Sequence, residues 1–190
     1  MDEARILAAV ADSVALKQRF FEENAGRLLE VGARIAGVLR GGGRLFSFGN
    51  GGSAADAQHL AAELVGRFRR ERPGLAALAL TTDPSTMTAL GNDYGFERVF
   101  ARQLEAHGRP GDVAFGITTS GRSPNVVEAL RLARGRGLLT VALTGRGGGA
   151  AKEHADLLLD VPHDDTQRIQ EVHGLVVHIL CEVIEDAVGS

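Results

Sequence analysis

The sequence predicts an α/β protein, a five-stranded parallel sheet covered on both faces by helices and preceded by an N-terminal helical pair. Three observations predict it. Five short apolar runs, RLFSF, LAALAL, DVAFGIT, LLTVALT and DLLLDV, alternate with segments of helical period. Two of these runs lead into loops of glycine and hydroxyls that end on a helix start. The composition, 44% hydrophobic and 24% charged over 190 residues, suits one globular domain spanning 1–190.

From residue 2 to about 40, Ile6, Val10 and Val14 and then Leu28, Val31, Ile35 and Val38 recur at helical spacing, which predicts two helices with Phe20 and Phe21 near their junction. Such a pair must bury its apolar stripe, on the sheet and on another subunit. Gly41 to Gly43 end it, and Arg44 to Phe48 form the first strand. Gly49 to Leu64 then make a strand-to-helix turn in which the glycines let backbone approach a ligand and Ser53 is the expected N-cap. The helix carries Asp56, His59 and Glu63. Leu75 to Leu80 form the second strand, with Thr81, Thr82 and Asp83 at its end and Asn92 and Asp93 in a polar loop beyond. A helix over Glu97 to Ala106 precedes the turn GRPGD. Asp112 to Thr118 form the third strand, followed by the hydroxyl loop Thr118, Thr119, Ser120, Gly121 and Ser123 and a helix opened by Pro124 and running to Arg134. Strands over Leu138 to Thr144 and Asp156 to Val161 flank a glycine loop, and a helix over Thr166 to Ala187 closes the chain. With right-handed crossovers, ligands gather outside the carboxyl ends of such strands.

Charge and composition exclude several classes of function. A net charge of −3 without a long basic run gives no electrostatic footprint for nucleic acid, so small polar substrates are the better expectation. The single cysteine, Cys181, lies in an apolar helical pattern and reads as core, which fits a reducing cytoplasm. The opening MDEARILAAVADS carries early acids and no basic start, so no signal peptide is expected. No run approaches the roughly 20 apolar residues of a membrane span.

The hydroxyl loop is the strongest chemical signal. It aims at a helix N-terminus, where unpaired N–H groups and the helix dipole favour an anion, and its hydroxyls add donors, so a phosphate fits without a metal. No GxxxxGK[ST] occurs, and nucleoside triphosphate chemistry is not indicated. Gly145, Gly147 and Ala150 in GRGGGA match a relaxed dinucleotide fingerprint, but only a few residues separate them from DLLLDV, too few for the helix that motif requires. His59 and Glu63 share a helix face and read equally as a metal or acid/base pair and as an exposed helical pair. Gln170, Gly174 and His178 form one i+4 ridge on the closing helix, with His173 beside it as the alternative histidine or as a structural or surface residue. Eight residues span roughly 12 Å of helix, so one ligand reaches both Gln170 and His178 only if their side chains lean together.

Taken together, GNGGSAADAQHLAAELVGRF, RERPGLAALALTTD, GNDYGFE, GRPGD, TTSGRSPNV and RIQEVH resemble the bacterial sedoheptulose 7-phosphate isomerases, the phosphoheptose isomerases of the sugar isomerase (SIS) domain superfamily. The resemblance runs from about Gly49 to the end of the closing helix. It implies an SIS-type, flavodoxin-like three-layer fold and a homotetramer, with residues 1–40 used in oligomer packing. It implies conversion of sedoheptulose 7-phosphate to D-glycero-D-manno-heptose 7-phosphate on the way to lipopolysaccharide or related glycans. Ser53, Thr119, Ser120 and Ser123, joined by Thr118, would hold the phosphate, with Asn50, Asn92, Asp93 and Gln170 near the sugar hydroxyls and Gly51 and Gly52 beside the substrate. Glu63 and His178 match the catalytic pair, and His59, Glu63, Gln170 and His178 match positions that bind zinc in some members. Arg67 would orient acidic groups or stand as a solvated charge. A tetrameric factor that binds the replication initiator also resembles this family, so a non-catalytic binding role is the alternative. A phosphosugar-sensing regulator would need a fused DNA-binding domain, for which 190 residues leave no room.

Overall fold

The computed structural model describes residues 2–189. Strands β1 (Leu45–Gly49), β2 (Ala77–Ala79), β3 (Val113–Thr118), β4 (Leu139–Gly145) and β5 (Leu157–Val161) form one parallel sheet in the order β2-β1-β3-β4-β5. Strand period sorts the side chains into two cores. Leu45, Val113, Phe115, Ile117, Val141, Leu143 and Leu159 pack with helices α1 (Glu3–Arg40), α2 (Gly52–Val65) and α6 (Thr166–Val188). Phe46, Phe48, Ala114 and Ala142 pack with α3 (Pro84–Tyr94), α4 (Val99–His107) and α5 (Pro124–Gly135).

The expected fold class therefore stands, with four local corrections. The N-terminal pair is one continuous helix, α1, because the helical period passes through Phe20 and Phe21 without a break. Phe20 is fully buried, its ring meets Phe21 edge-on at 5.3 Å, and the Asn24 amide donates to the Phe20 carbonyl inside the helix. The second strand shrinks to three residues, since a sheet edge finds partners only along Leu45 to Ser47. Asn92 and Asp93 lie on the last turn of α3 instead of in a loop. That helix starts from Asp83, whose carboxylate accepts from the Ser85 and Thr86 amides at 2.9 and 3.1 Å, with Pro84 in the first turn. Finally, Gly51, with φ +57°, is the N-cap of α2, and Ser53 sits one residue inside the helix.

Strand order also positions the ligand face. The chain runs from β1 out to β2 and then returns past β1 to β3, so β1 and β3 are neighbours whose following helices, α2 and α5, leave to opposite sides. A crevice must open between their carboxyl ends.

Beneath that end, His173 of α6 is fully buried, with Nε2 2.9 Å from the Thr144 carbonyl oxygen and Nδ1 buried without a partner. The Nε2–H donates to that carbonyl in the neutral ring. Burial lowers the His173 pKa to about 4, and the Thr144 carbonyl offsets this only in part. An unfolded imidazole titrates near ~6.5, so between these values the unfolded chain binds more protons and stability falls as pH falls. The expected loss between neutral pH and about pH 4 is on the order of 3 kcal/mol, read from urea midpoints, and His173→Asn should flatten that part of the profile. An identical profile in the variant would assign the pH dependence elsewhere.

Candidate active site

The two walls of the crevice are joined by a reciprocal amide pair. Asn50, just after β1, donates to Asn125 Oδ1 at 2.8 Å, and Asn125, on the first turn of α5, donates to Asn50 Oδ1 at 2.8 Å. Asn125 is 2% exposed, and its oxygen also accepts from the Val126 amide. Sequence reasoning missed Asn125. Its signal was an amide among the apolar residues that open α5. On the β1 side, Ser53 is buried, its amide donates to the Asn50 carbonyl at 3.0 Å, and the Ser47 hydroxyl ties β1 to the Ala57 carbonyl of α2.

The hydroxyl loop lies on the β3 side. Ser123 is the N-cap of α5 by position, yet its hydroxyl makes no capping bond and lies 3.0 Å from Thr118 Oγ1. Thr118 is buried and also lies 3.4 Å from Ser120 Oγ, which accepts from the Arg122 amide, while Thr119 is half-buried beside them. In the first turn of α5 Pro124 has no N–H and the Val126 and Val127 amides already donate to the Ser123 carbonyl, so the donors this end of the helix offers an anion are the hydroxyls of Thr118, Ser120 and Ser123, with the helix dipole behind them.

GRGGGA supports this loop. Gly147, Gly148 and Gly149 all have positive φ, and they open a 3-10 segment, Arg146–His154, that leads to β5 with no α-helix between. Gly121, with φ +64°, packs on them so closely that an added Cβ would lie 2.2 Å from the Gly148 carbonyl oxygen, and the Gly121 carbonyl accepts from the Ala151 amide. The glycine-turn reading holds, and the nucleotide reading has no helix to carry it.

Ionisable groups collect on α2 and α6. His59 Nε2 lies 3.1 Å from Glu63 Oε1 and 3.3 Å from His178 Nε2 of the same chain. The two imidazoles meet edge-on at 4.8 Å, and Phe68 packs on the other side of His178 at 5.8 Å. Two ring nitrogens and a carboxylate oxygen that face one another have lone pairs that a proton or cation must separate. Asp56, one turn before His59, has Oδ2 buried without a partner, and burial raises its pKa while His59 pulls it down. Gln170 packs across the first turn of α2, where a Cβ on Gly52 would lie 1.9 Å from its Nε2. Gly174 leaves open space on the ridge between Gln170 and His178.

The remaining candidates sort simply. Asn92 and Asp93 are exposed and bonded to one another at 2.8 Å, not to either loop. Arg67 faces Glu71 at 3.7 Å with both side chains largely in solvent, the plain-charge reading. Cys181 is buried and its thiol is pushed up to about 12 by burial, with Glu63 nearby adding to the shift, so it is core. An open cavity of about 640 Å³ lies at the opposite, amino end of the strands between Arg34, Gly111, Arg134 and Asp156, where Arg134 is already held by Asp156 and the Glu153 carbonyl. No described helix is long and apolar enough to cross a membrane.

The geometry makes Gly121 the sensitive point of the hydroxyl loop. Gly121→Ala forces a Cβ at positive φ into the Gly148 carbonyl, so sugar-phosphate affinity should fall about tenfold or more in a calorimetric titration while the fold remains. Unchanged affinity would show that this loop does not hold the phosphate.

Comparison with known proteins agrees with this arrangement. Residues 10–145 match the SIS domain family. A phosphoheptose isomerase of Roseiflexus sp. is 53% identical over 180 residues, covering 95% of this chain and 91% of the relative. The solved phosphoheptose isomerase GmhA of Neisseria gonorrhoeae is 45% identical with a TM-score of 0.91, covering 97% of this chain and 98% of that one. A phosphoheptose isomerase from Francisella tularensis is 35% identical with the same TM-score, covering 98% and 100%. In sequence and in fold over nearly its whole length, the chain belongs to the phosphoheptose isomerases of the SIS domain superfamily.

Proposed function

We propose that the protein is a ketose/aldose isomerase that converts sedoheptulose 7-phosphate to D-glycero-D-manno-heptose 7-phosphate, in heptose biosynthesis for lipopolysaccharide or related glycans. The observation that carries this reading is a division of chemistry around one crevice. A cluster of hydroxyls at the N-terminus of α5 lies on the β3 side, and a carboxylate with two imidazoles lies on α2 and α6. Thr118, Thr119, Ser120, Ser123 and Ser53 take the phosphate. Asn50, Gly51, Gly52 and Gln170 face the sugar, and Asn92 and Asp93 join them once substrate draws the end of α3 inward.

Isomerisation moves a carbonyl between adjacent carbons. The Glu63 carboxylate removes the proton at C1 of the ketose, giving the enediol, and returns a proton to C2. His178 protonates the oxygen at C2 and accepts the proton from the oxygen at C1, so the aldehyde forms at C1 and the base and acid are restored. His59, in contact with both, orients them.

Zinc fits this donor set in kind, with His59, Glu63, Gln170 and His178 as the residues that would hold it. As they stand, no three His, Cys, Asp or Glu side chains among the described residues form a metal group, and Gln170 packs on Gly52, so holding zinc would require these side chains to rearrange. Held by these residues, zinc would supply Lewis-acid polarisation of the substrate carbonyl. The homotetramer reading is supported by α1, where Ile6, Leu7, Val10 and Val14 are each more than half exposed and form a stripe suited to burial against another subunit.

An assay with sedoheptulose 7-phosphate tests the proposal. Wild type should turn over, and Glu63→Gln and His178→Gln should each lose roughly 10²–10⁴-fold in kcat with the fold intact. Full activity in either variant removes that residue from the mechanism. A wild type without turnover that binds the replication initiator would establish the alternative role, and metal analysis of the same sample decides zinc.

A further inference from the structure

Behind the ionisable cluster lies a buried ion pair that the sequence did not mark. Arg72 Nε and Glu185 Oε1 are 3.2 Å apart, and their side chains are only 7% and 4% exposed. Glu185 also accepts from the backbone amides of Phe68, Arg69 and Arg70 at 3.2, 2.9 and 2.9 Å. Arg72 caps the end of α2, with Nη2 donating to the Glu63 carbonyl and Nη1 to the Leu64 carbonyl, both at 2.9 Å. The orphan carbonyls of a helix C-terminus are thereby satisfied by a cation, which the helix dipole also favours.

Two routes lead from this clasp to the reacting groups. One is the Arg72 bond to the backbone of Glu63 itself. The other runs from Glu185 to the Phe68 amide and from the Phe68 ring to His178, which lies seven residues before Glu185 on the same face of α6. A surface pair would be worth little, but here each partner is buried and fully bonded, so removing one leaves a charge without a counterpart. Burial raises the pKa of Glu185, but the three amides and Arg72 outweigh it and hold the carboxyl below its ordinary range.

We propose that Arg72 and Glu185 are positioning residues that fix Glu63 against His178. The inference rests on the isomerase reading above. The clasp touches neither loop of the phosphate site, so it acts on the chemical step and not on substrate affinity.

The test is steady-state kinetics on Glu185→Gln, Arg72→Lys and Arg72→Met, with Asp186→Asn as control. Asp186 bonds Arg70 at the exposed edge of the same loop, so its loss should leave kinetics unchanged. Glu185→Gln and Arg72→Met should lose about 100-fold in kcat per folded molecule with KM within about twofold, as expected for a small displacement of a reacting group. Arg72→Lys, which keeps the charge, should recover part of the loss. The two Arg72 variants carry the test if Glu185→Gln does not fold. A kcat per folded molecule equal to the control's, a matching rise in KM, or identical Arg72→Lys and Arg72→Met would overturn the proposal. An inactive wild type would instead overturn the isomerase reading, and the clasp's catalytic role with it.

Discussion

The structure depends on one topological constraint, the placement of β1 beside β3 with their helices leaving to opposite faces. Parallel strands expose amides and carbonyls at their carboxyl ends, and here two such ends diverge and cannot cover each other. The Asn50–Asn125 amide pair bridges the crevice between them. Every candidate group except Asn92 and Asp93 lies on an element that starts from this crevice or packs across it. The hydroxyls come with β3, the glycine turn and Glu63 with β1 and α2, and Gln170 and His178 with α6.

The two sides of the crevice solve different electrostatic problems. The β3 side offers neutral donors, which suit an anion whose charge never changes during reaction. The α2–α6 side gathers the groups whose charge changes in the proposed reaction, and holds them by packing from behind. Phe68, Cys181 and the Arg72–Glu185 pair form that backing, in which the one strongly charged pair is fully bonded and removed from solvent. A reacting carboxylate gains from a fixed backbone more than from a fixed side chain, because its side chain must still reach two adjacent carbons.

Much of this was legible in the residues. Period-2 runs located all five strands, and four of them begin and end within a residue of expectation, because buried parallel strands are written as apolar runs. The His59–Glu63 spacing and the Gln170–Gly174–His178 ridge were also visible, since helical period alone puts them on a face. What was missed depends on tertiary neighbours. Phe20 and Phe21 looked like a junction only because nothing local shows that a helix of 38 residues has a body to lie on. Ser53 lost the cap to Gly51 because the turn needs positive φ there. Asn125, Arg72 and Glu185 act through partners up to 117 residues away, which no spacing rule reaches.

The claim that joins these observations is that a carbon-bound proton passes through Glu63. Isomerisation run in D₂O and followed by NMR tests it most directly. The account predicts deuterium at C2 of the aldose product, taken up while the proton rests on the carboxylate and exchanges with solvent. A product formed at full rate with only protium at C2 would mean direct hydrogen transfer between the carbons and would contradict it.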